Sequence, residues 1–366
     1  MSKINNLSIN SYRVIRNLEF KDLGDVNIIL GDSNSGKTSV LEAIQFLRSD
    51  CFSNVIDIIK SRKASFDSVS FNDFIFLFNS LEKEISISAD INGKKEDIHL
   101  DYSISETVFN KEMYVNDNNN PTNKLLDSLI DNSKINGKSV PQVKGTLKYD
   151  SNEEKYSLVP FDFTIGNYRS DNRVDKRKII YESPDYHFSS MNLIVSNIIK
   201  DDEYYNIFIE VLKLFDDSIN KVQLLVNDGV PFEITDIYIS RKNEKPMPIS
   251  SYGDGIKKAI CLAGMLLRAK NGILLIDEIE TSLHHDYYDE IVYFLVKVCK
   301  AYNIQAFITT HNEEVISSFS KYNKENKVKS NIKFYTIRKK ENKVVSRMLT
   351  PEDVEKYKAL GLEVRN

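Results

Sequence analysis

Apolar and polar positions set out an ordered series of elements along the chain. Residues 26–30, Val-Asn-Ile-Ile-Leu, form a run short and dense enough for a strand buried on both faces. After residues 31–39, Val40, Leu41, Ile44 and Phe46 recur at helical spacing and predict a helix to about residue 49. Two later runs, 272–276 and 304–308, have the same buried-strand character. Upstream, Leu7, Ile9, Val14, Ile15, Leu18 and Phe20 predict a strand pair feeding the 26–30 strand. Ile85, Ile87 and Ala89, then Ile98, Leu100 and Tyr102, alternate about Asn92-Gly93 and predict a hairpin over 84–104. A second hairpin is expected over 145–159, turning around Ser151-Asn152. Residues 71–81 read as an aromatic helical piece and 117–121 as a loop. Helices are expected at 204–219 and 256–270, strands at 222–226, 234–240, 332–337 and 344–348, and a short helix from Pro351. No sustained heptad and no internal repeat is visible.

Composition narrows the class. The chain has 366 residues, 41% hydrophobic and 28% charged, which suits one large or two ordinary globular domains. Cys51, Cys261 and Cys299 are far apart and read as small buried hydrophobes in a reducing compartment. The polar first residues show no signal peptide, and no apolar run reaches membrane-spanning length, so a cytoplasmic location with no membrane contact is expected. A net charge of −4 neither demands nor excludes nucleic acid. Residues 164–178 carry Arg169, Arg173, Lys176, Arg177 and Lys178; they read as a solvated loop or as a contact for nucleic acid or a partner. The elements together predict an α/β fold with a core sheet, an antiparallel β subdomain from the hairpins, and helices outside.

The chemistry begins between the first buried strand and its helix. Gly31-Asp32-Ser33-Asn34-Ser35-Gly36-Lys37-Thr38 fits the phosphate-loop pattern, with Ser39 next in the helix. Gly31 and Gly36 let successive backbone N–H groups turn toward one anion, and the helix N-terminus adds its positive end. Lys37 would charge-pair the β- and γ-phosphates of ATP, and the Thr38 hydroxyl would ligate Mg2+. The 272–276 run ends in Asp277-Glu278, where a parallel sheet opens on its ligand. Asp277 would hold Mg2+ and Glu278 would polarise the attacking water. The 304–308 run likewise ends in Thr309-Thr310-His311, with His311 a neutral hydrogen-bonding group for the γ-phosphate. Ser251-Tyr252-Gly253-Asp254-Gly255 precedes a helix and, taken alone, would serve as its N-terminal cap. His284 and His285, near acidic residues, offer a weaker metal-site candidate.

The order of Gly31–Thr38, Ser251–Gly255, Leu274–Glu278, Glu280–His284 and His311 resembles the ABC-type ATPases. It is more closely similar to the OLD-like ATPases of bacterial anti-phage defence, in Gly-Asp-Gly before the long helix, Asp-Glu-Ile-Glu-x-x-Leu-His, and Thr-Thr-His. The resemblance implies a P-loop NTPase with an ABC-ATPase head, a core lobe of about 1–50 and 250–345, and an inserted β-hairpin and helical region of about 51–249. It also implies composite sites, in which Ser251, Gly253, Asp254 and Gly255 cap the γ-phosphate held by a second subunit of a homodimer or higher homo-oligomer. The family's glutamine between phosphate loop and signature has no counterpart here; Gln45 and Gln142 are poorly placed. The residues after His311 contain no Asp-x-Asp cluster of the kind found in the family's nuclease extension, so this chain is expected to control a separate effector, a nuclease or toxin. The alternative is a DNA-repair clamp built on a short ABC head.

Overall fold

The computed structural model describes residues 3–62, 70–78, 82–110, 136–160, 175–182, 191–226, 235–281, 283–325, 331–340 and 343–360. The 26–30 run is β3 (Val26–Leu30), in the middle of a six-stranded sheet. The order is β16 (Lys343–Leu349), β15 (Ile332–Lys340), β3, β14 (Gln305–Thr310), β13 (Ile273–Ile276) and β9 (Ile179–Glu182). Neighbours are parallel except β16, which runs antiparallel to β15. Both faces are covered, which is why these strands read as unbroken apolar runs. Ile28, Leu274, Ile308 and Phe334 point into one core, Ile29, Leu275, Phe307 and Tyr335 into the other.

Helices α4 (Met191–Ile199), α5 (Asp202–Lys213), α6 (Asp254–Arg268), α7 (Tyr288–Ala301) and α8 (Glu313–Glu325) contribute to the first core. The second core is closed by α1 (Lys37–Phe46), α2 (Ser53–Lys60), the short α3 (Phe71–Ile75) and a seven-stranded antiparallel sheet. That sheet runs β2 (Ile15–Phe20), β1 (Ile4–Tyr12), β4 (Glu84–Ile91), β5 (Lys94–Asp101), β7 (Ser139–Tyr149) and β6 (Ser103–Val108), with β8 (Asn152–Leu158) also on β7. A small antiparallel sheet of β10 (Ile219–Val226), β11 (Thr235–Arg241) and β12 (Met247–Pro248) precedes α6, and α9 (Pro351–Ala359) packs on the β15–β16 hairpin.

One buried side chain ties the two large sheets together. Gln305, fully buried on β14, accepts from the Ile4 N–H at 2.8 Å and donates to the carbonyls of Ile4 at 2.8 Å and Gly24 at 2.9 Å.

The Asn92-Gly93 turn has positive φ at both residues, 53° and 83°, as a two-residue hairpin turn requires. The second hairpin turns one residue earlier than expected, because Tyr149 pairs with Asn152 and Asp150 takes the positive φ. The strand pair of residues 4–20 belongs to the antiparallel sheet. Several elements were not anticipated, among them α2, β6, α8, α4 and β9. β9 lies at the edge of the core sheet, at the end of the stretch read as a solvated loop.

Of the basic residues just before β9, Arg177 is built into the fold, while Lys176 and Lys178 are exposed. Arg177 is buried, bonded to Glu96 at 2.5 Å, to the Leu47 carbonyl at 2.7 Å and to the Tyr149 hydroxyl at 2.7 Å. Lys176 lies 3.6 Å from the centre of the Tyr149 ring. Lys178 donates to the Lys270 carbonyl at 3.2 Å. Arg169, Arg173, the 117–121 loop and residues 79–81 of the aromatic piece lie outside the described residues. All three cysteines are free; Cys261 and Cys299 are buried and Cys51 is half-buried.

Candidate nucleotide site

The C-terminal ends of β3, β13 and β14 meet at one edge of the core sheet, where open parallel sheets take ligands. β3 runs into the glycine loop. Gly31 has φ 157°, and a Cβ there would stand 2.5 Å from the Ile337 carbonyl and 2.7 Å from Ser35 Oγ. Gly36, at φ 101°, caps α1 in the left-handed region. Asp32, Ser33 and Asn34 are exposed, Ser35 and Ser39 are buried, and Thr38 is half-buried. The Ser35 hydroxyl is buried without a hydrogen-bond partner. Lys37 is 7% exposed and folds back, its Nζ donating to the carbonyls of Gly31 at 2.8 Å and Asp32 at 2.9 Å. Burial pushes its pKa down, while the carboxylates of Glu278 and Asp277 oppose that shift.

β13 delivers Asp277 beside the loop. Register places Ile276 opposite Ile308, so Asp277 stands next to Thr309. Asp277 Oδ2 accepts from Thr38 Oγ1 at 2.7 Å and Oδ1 from Thr309 Oγ1 at 2.5 Å. Burial raises the Asp277 pKa, the two hydroxyl bonds oppose the rise, and the Glu42 charge adds to it. Thr309 Oγ1 also accepts from the Glu278 N–H at 2.8 Å, so one hydroxyl serves both carboxylate residues. Glu278 has φ 48°, a left-handed backbone that a non-glycine residue adopts only when its surroundings fix it.

Beyond β14, His311 is half-exposed, and Glu280 orients it. Glu280 Oε1 accepts from the His311 N–H at 2.8 Å and lies 2.8 Å from Nδ1.

The fold thus brings Gly31–Ser39, Asp277, Glu278 and His311 together. It does not bring Ser251–Gly255 to them. That segment ends a 3-10 turn and opens α6, and no hydrogen bond or ion pair among the described residues joins it to the glycine loop. Ser251, Gly253 and Asp254 are exposed, and Asp254 pairs with Lys257 at 3.1 Å. A Cβ at Gly253 would meet nothing within 4 Å, and its φ of −66° suits any residue.

His284, His285 and Asp286 have ligand atoms within 4.8 Å of one another, all exposed on one turn.

Sequence reasoning missed three groups. Thr309 was read only as part of a polar strand tip, although a hydroxyl ending an apolar strand was a usable signal. Glu280 stands two residues beyond Glu278 and acts through His311. Glu42, one turn after Thr38, is fully buried; it accepts from Tyr12 Oη at 2.9 Å and from Arg62, whose Nη2 lies at 2.8 Å, and pairs with Arg13 at 3.1 Å. Thr38 and Glu42 are four apart and so share a helix face.

Residues 26–317 match the family described as "AAA domain, putative AbiEii toxin, Type IV TA system". The chain belongs to this family. It is a phosphate-loop ATPase with an α/β head. A Helicobacter pylori relative called an ATP/GTP phosphatase is 23% identical over 381 residues, covering 97% of this chain and 97% of that one. An uncharacterized Methanocaldococcus jannaschii protein is 32% identical over 114 residues, covering 31% of this chain and 98% of its own length. Among solved structures, the SMC head domain from Thermotoga maritima aligns with a TM-score of 0.45 at 12% identity, over 95% of this chain and 99% of that one. The recombination mediator protein RecF aligns with a TM-score of 0.45 at 13% identity, over 95% and 98%. Among the described residues, no helix is long and apolar enough to cross a membrane.

Proposed function

We propose that the chain binds ATP with Mg2+, hydrolyses it, and uses the cycle to control a separate effector, a nuclease or toxin. The observation that carries the hydrolytic part is the pair Asp277-Glu278, fixed by one threonine hydroxyl beside Lys37. The donor set fits Mg2+, with hard oxygens on Thr38 and Asp277 and a buried carboxylate that no basic side chain contacts among the described residues. Mg2+, when bound there, would neutralise charge on the β- and γ-phosphates. Lys37 would exchange its two carbonyl partners for phosphate oxygens, and the Ser35 hydroxyl is a ready donor. Glu278 would take a proton from the attacking water, and His311, tied to Glu280 through Nδ1, would turn its other ring nitrogen toward the γ-phosphate. The Helicobacter relative's name supports nucleotide hydrolysis, and the family's TA-system description supports a paired effector.

Gly253 supports the composite site. Nothing in one copy requires glycine there, whereas a second copy's phosphates would approach that backbone closely. ATP held only between two copies would stabilise a homodimer, or a higher homo-oligomer, by about 2.7 kcal/mol at ~100 times its dissociation constant. On this reading residues 1–50 and 250–345 form the core lobe and 51–249 the insertion, whose β9 adds an edge strand to the core sheet. Assignment to the OLD-like, anti-phage branch rests on the motifs.

The test is Glu278→Gln. It should keep ATP affinity and lower hydrolysis by ~10²–10⁴-fold, the scale of losing a general base. Near-normal turnover would remove Glu278 from the role, and a variant that stays monomeric in Mg·ATP would remove the composite site.

A second reading, a DNA-repair clamp, has one observation in its favour. Arg338, Lys340 and Arg347 share a face of the β15–β16 hairpin around a 170 Å³ hollow. Duplex DNA that raises turnover at low salt, with the effect lost as salt rises, would favour it.

A further inference from the structure

The hydrogen bonds between His311 and Glu280 fix which ring nitrogen carries a proton. β14 ends at Thr310, so His311 is the first residue past the strand, at the edge where the glycine loop lies. Glu280 stands three residues after Asp277, past the end of β13. Its Oε1 takes two donors, the His311 N–H at 2.8 Å and the ring Nδ1 at 2.8 Å. Its Oε2 is buried with no hydrogen-bond partner. A carboxylate only accepts, so Nδ1 is the protonated nitrogen. In a neutral imidazole Nε2 is then a bare acceptor. A γ-phosphate oxygen also only accepts. The neutral contact expected from the sequence would therefore set two lone pairs against each other.

The surrounding charges point the same way. Glu280 is buried, and among the described residues His311 is its one ion-pair partner. The other charged and titratable groups nearby are Lys37, Asp32, Asp277 and Glu278 at the loop, Tyr288 on α7, and Glu314 at the start of α8. Lys37 is committed to the carbonyls of Gly31 and Asp32, and with nucleotide bound would turn to phosphate. Burial, and then the charges of Glu280 and Glu314, raise the pKa of Tyr288, which stays neutral. A buried carboxylate is stable only beside a matching cation. The ring of His311 is the group in place to supply one, and it is half-exposed, within reach of solvent protons.

We propose that His311 takes up a proton when ATP binds and meets the γ-phosphate as an imidazolium, with Glu280 as the positioning residue that holds the ring and its charge. The inference rests on the ATP reading above and specifies the charge state of its histidine contact. The proton passes from solvent to Nε2, Nδ1 keeps its own, and no other bond forms or breaks. The ring then presents one donor to each of two anions, the Glu280 carboxylate and the phosphate, and both hydrogen bonds are charge-assisted.

The test is calorimetry on the full chain with Mg2+ and a non-hydrolysable ATP analogue, in two buffers of different ionisation enthalpy. The difference in measured heat counts the protons taken up. At pH 7.5, where an ordinary imidazole is mostly neutral, the parent should take up roughly half a proton or more per site. Affinity should fall as pH rises from about 7 to 9, by up to ~tenfold per unit, because the bound state holds the extra proton. His311→Gln keeps a neutral donor, so it should bind within about tenfold of the parent, with the uptake lost and a flatter pH profile. Lys37, whose pKa burial lowers, is the other group able to gain a proton, and any uptake left in His311→Gln belongs to it. Glu280→Gln keeps an acceptor for Nδ1 and removes the charge, so uptake should fall by at least half; a purely structural Glu280 would leave it at the parental level and lose its assigned part. Should Glu280→Gln not fold, His311→Gln decides alone. Equal uptake in the parent and His311→Gln overturns the inference and leaves the nucleotide reading standing. Failure of the analogue to bind the parent overturns both.

Discussion

Replacing Thr309 by valine removes one hydroxyl and keeps the shape of the side chain. Thr309 is fully buried, and its oxygen is both the donor to Asp277 Oδ1 at 2.5 Å and the acceptor for the Glu278 N–H at 2.8 Å. The neutral bond contributes about 1 kcal/mol and the bond to an ionised carboxylate about 1.5–3 kcal/mol, so Thr309→Val should cost roughly 2.5–4 kcal/mol. At a slope of ~3 kcal/mol per molar, that is a fall of about 1 M in the urea midpoint. The catalytic effect should be larger than its distance from substrate suggests. Without the bond to its N–H, Glu278 loses one of the bonds that hold its left-handed backbone, and a misplacement of about 1 Å costs ~10²-fold. Turnover should therefore fall ~10–100-fold with ATP affinity nearly unchanged. Thr309→Ser, which keeps the hydroxyl and loses a methyl worth about 1 kcal/mol, should hold turnover within threefold. A valine variant with an unmoved midpoint and turnover within twofold of the parent would refute the bridging role.

Three further outcomes follow from the same geometry. Without nucleotide or metal, Asp277→Asn should gain stability relative to the parent as pH rises. The folded pKa lies above the ordinary 3.8, so the parent loses stability from about pH 4 up through the folded titration, and the gap is constant above it; urea midpoints with the same offset at pH 4 and pH 8 would contradict this. Gly31→Ala would set a Cβ 2.5 Å from the Ile337 carbonyl, and the ~1–3 kcal/mol of strain should weaken nucleotide binding ~5–150-fold; an unchanged dissociation constant for a fluorescent nucleotide would count against the cradle. Arg177→Met should cost about 3–5 kcal/mol by leaving Glu96 charged and buried, with most of the loss recovered in Glu96→Leu, Arg177→Met; a double variant as unstable as the single one would show that the pair is not the cause.

The parts of the fold legible in the sequence were those whose signal is local. A glycine loop between a buried strand and an amphipathic helix is fixed by steric and periodic rules within about 20 residues, and Asn92-Gly93 specifies its own turn. β9 was not legible, because Ile179, Ile180 and Tyr181 are too few to show a period, and only the neighbouring β13 makes them a strand. Arg177 misled for a related reason. A charged residue reads as solvated until a distant partner is known, and Glu96 is 81 positions away. In the site, the loop and Asp277-Glu278 announced themselves by spacing. The roles of Thr309, Glu280 and Glu42 depend on register and on contacts across the sheet, which one sequence does not display.

The carboxamide of Gln305 has a practical consequence. It anchors the strand that ends at Thr309 and His311 to the first strand of the antiparallel sheet, through bonds that no solvent can replace. The catalytic edge and the sheet behind it are therefore one mechanical body. A chain begun at the glycine loop would leave this amide dangling in a newly wetted gap, and engineered versions should keep residues 4–24 in place however much of the insertion they shed.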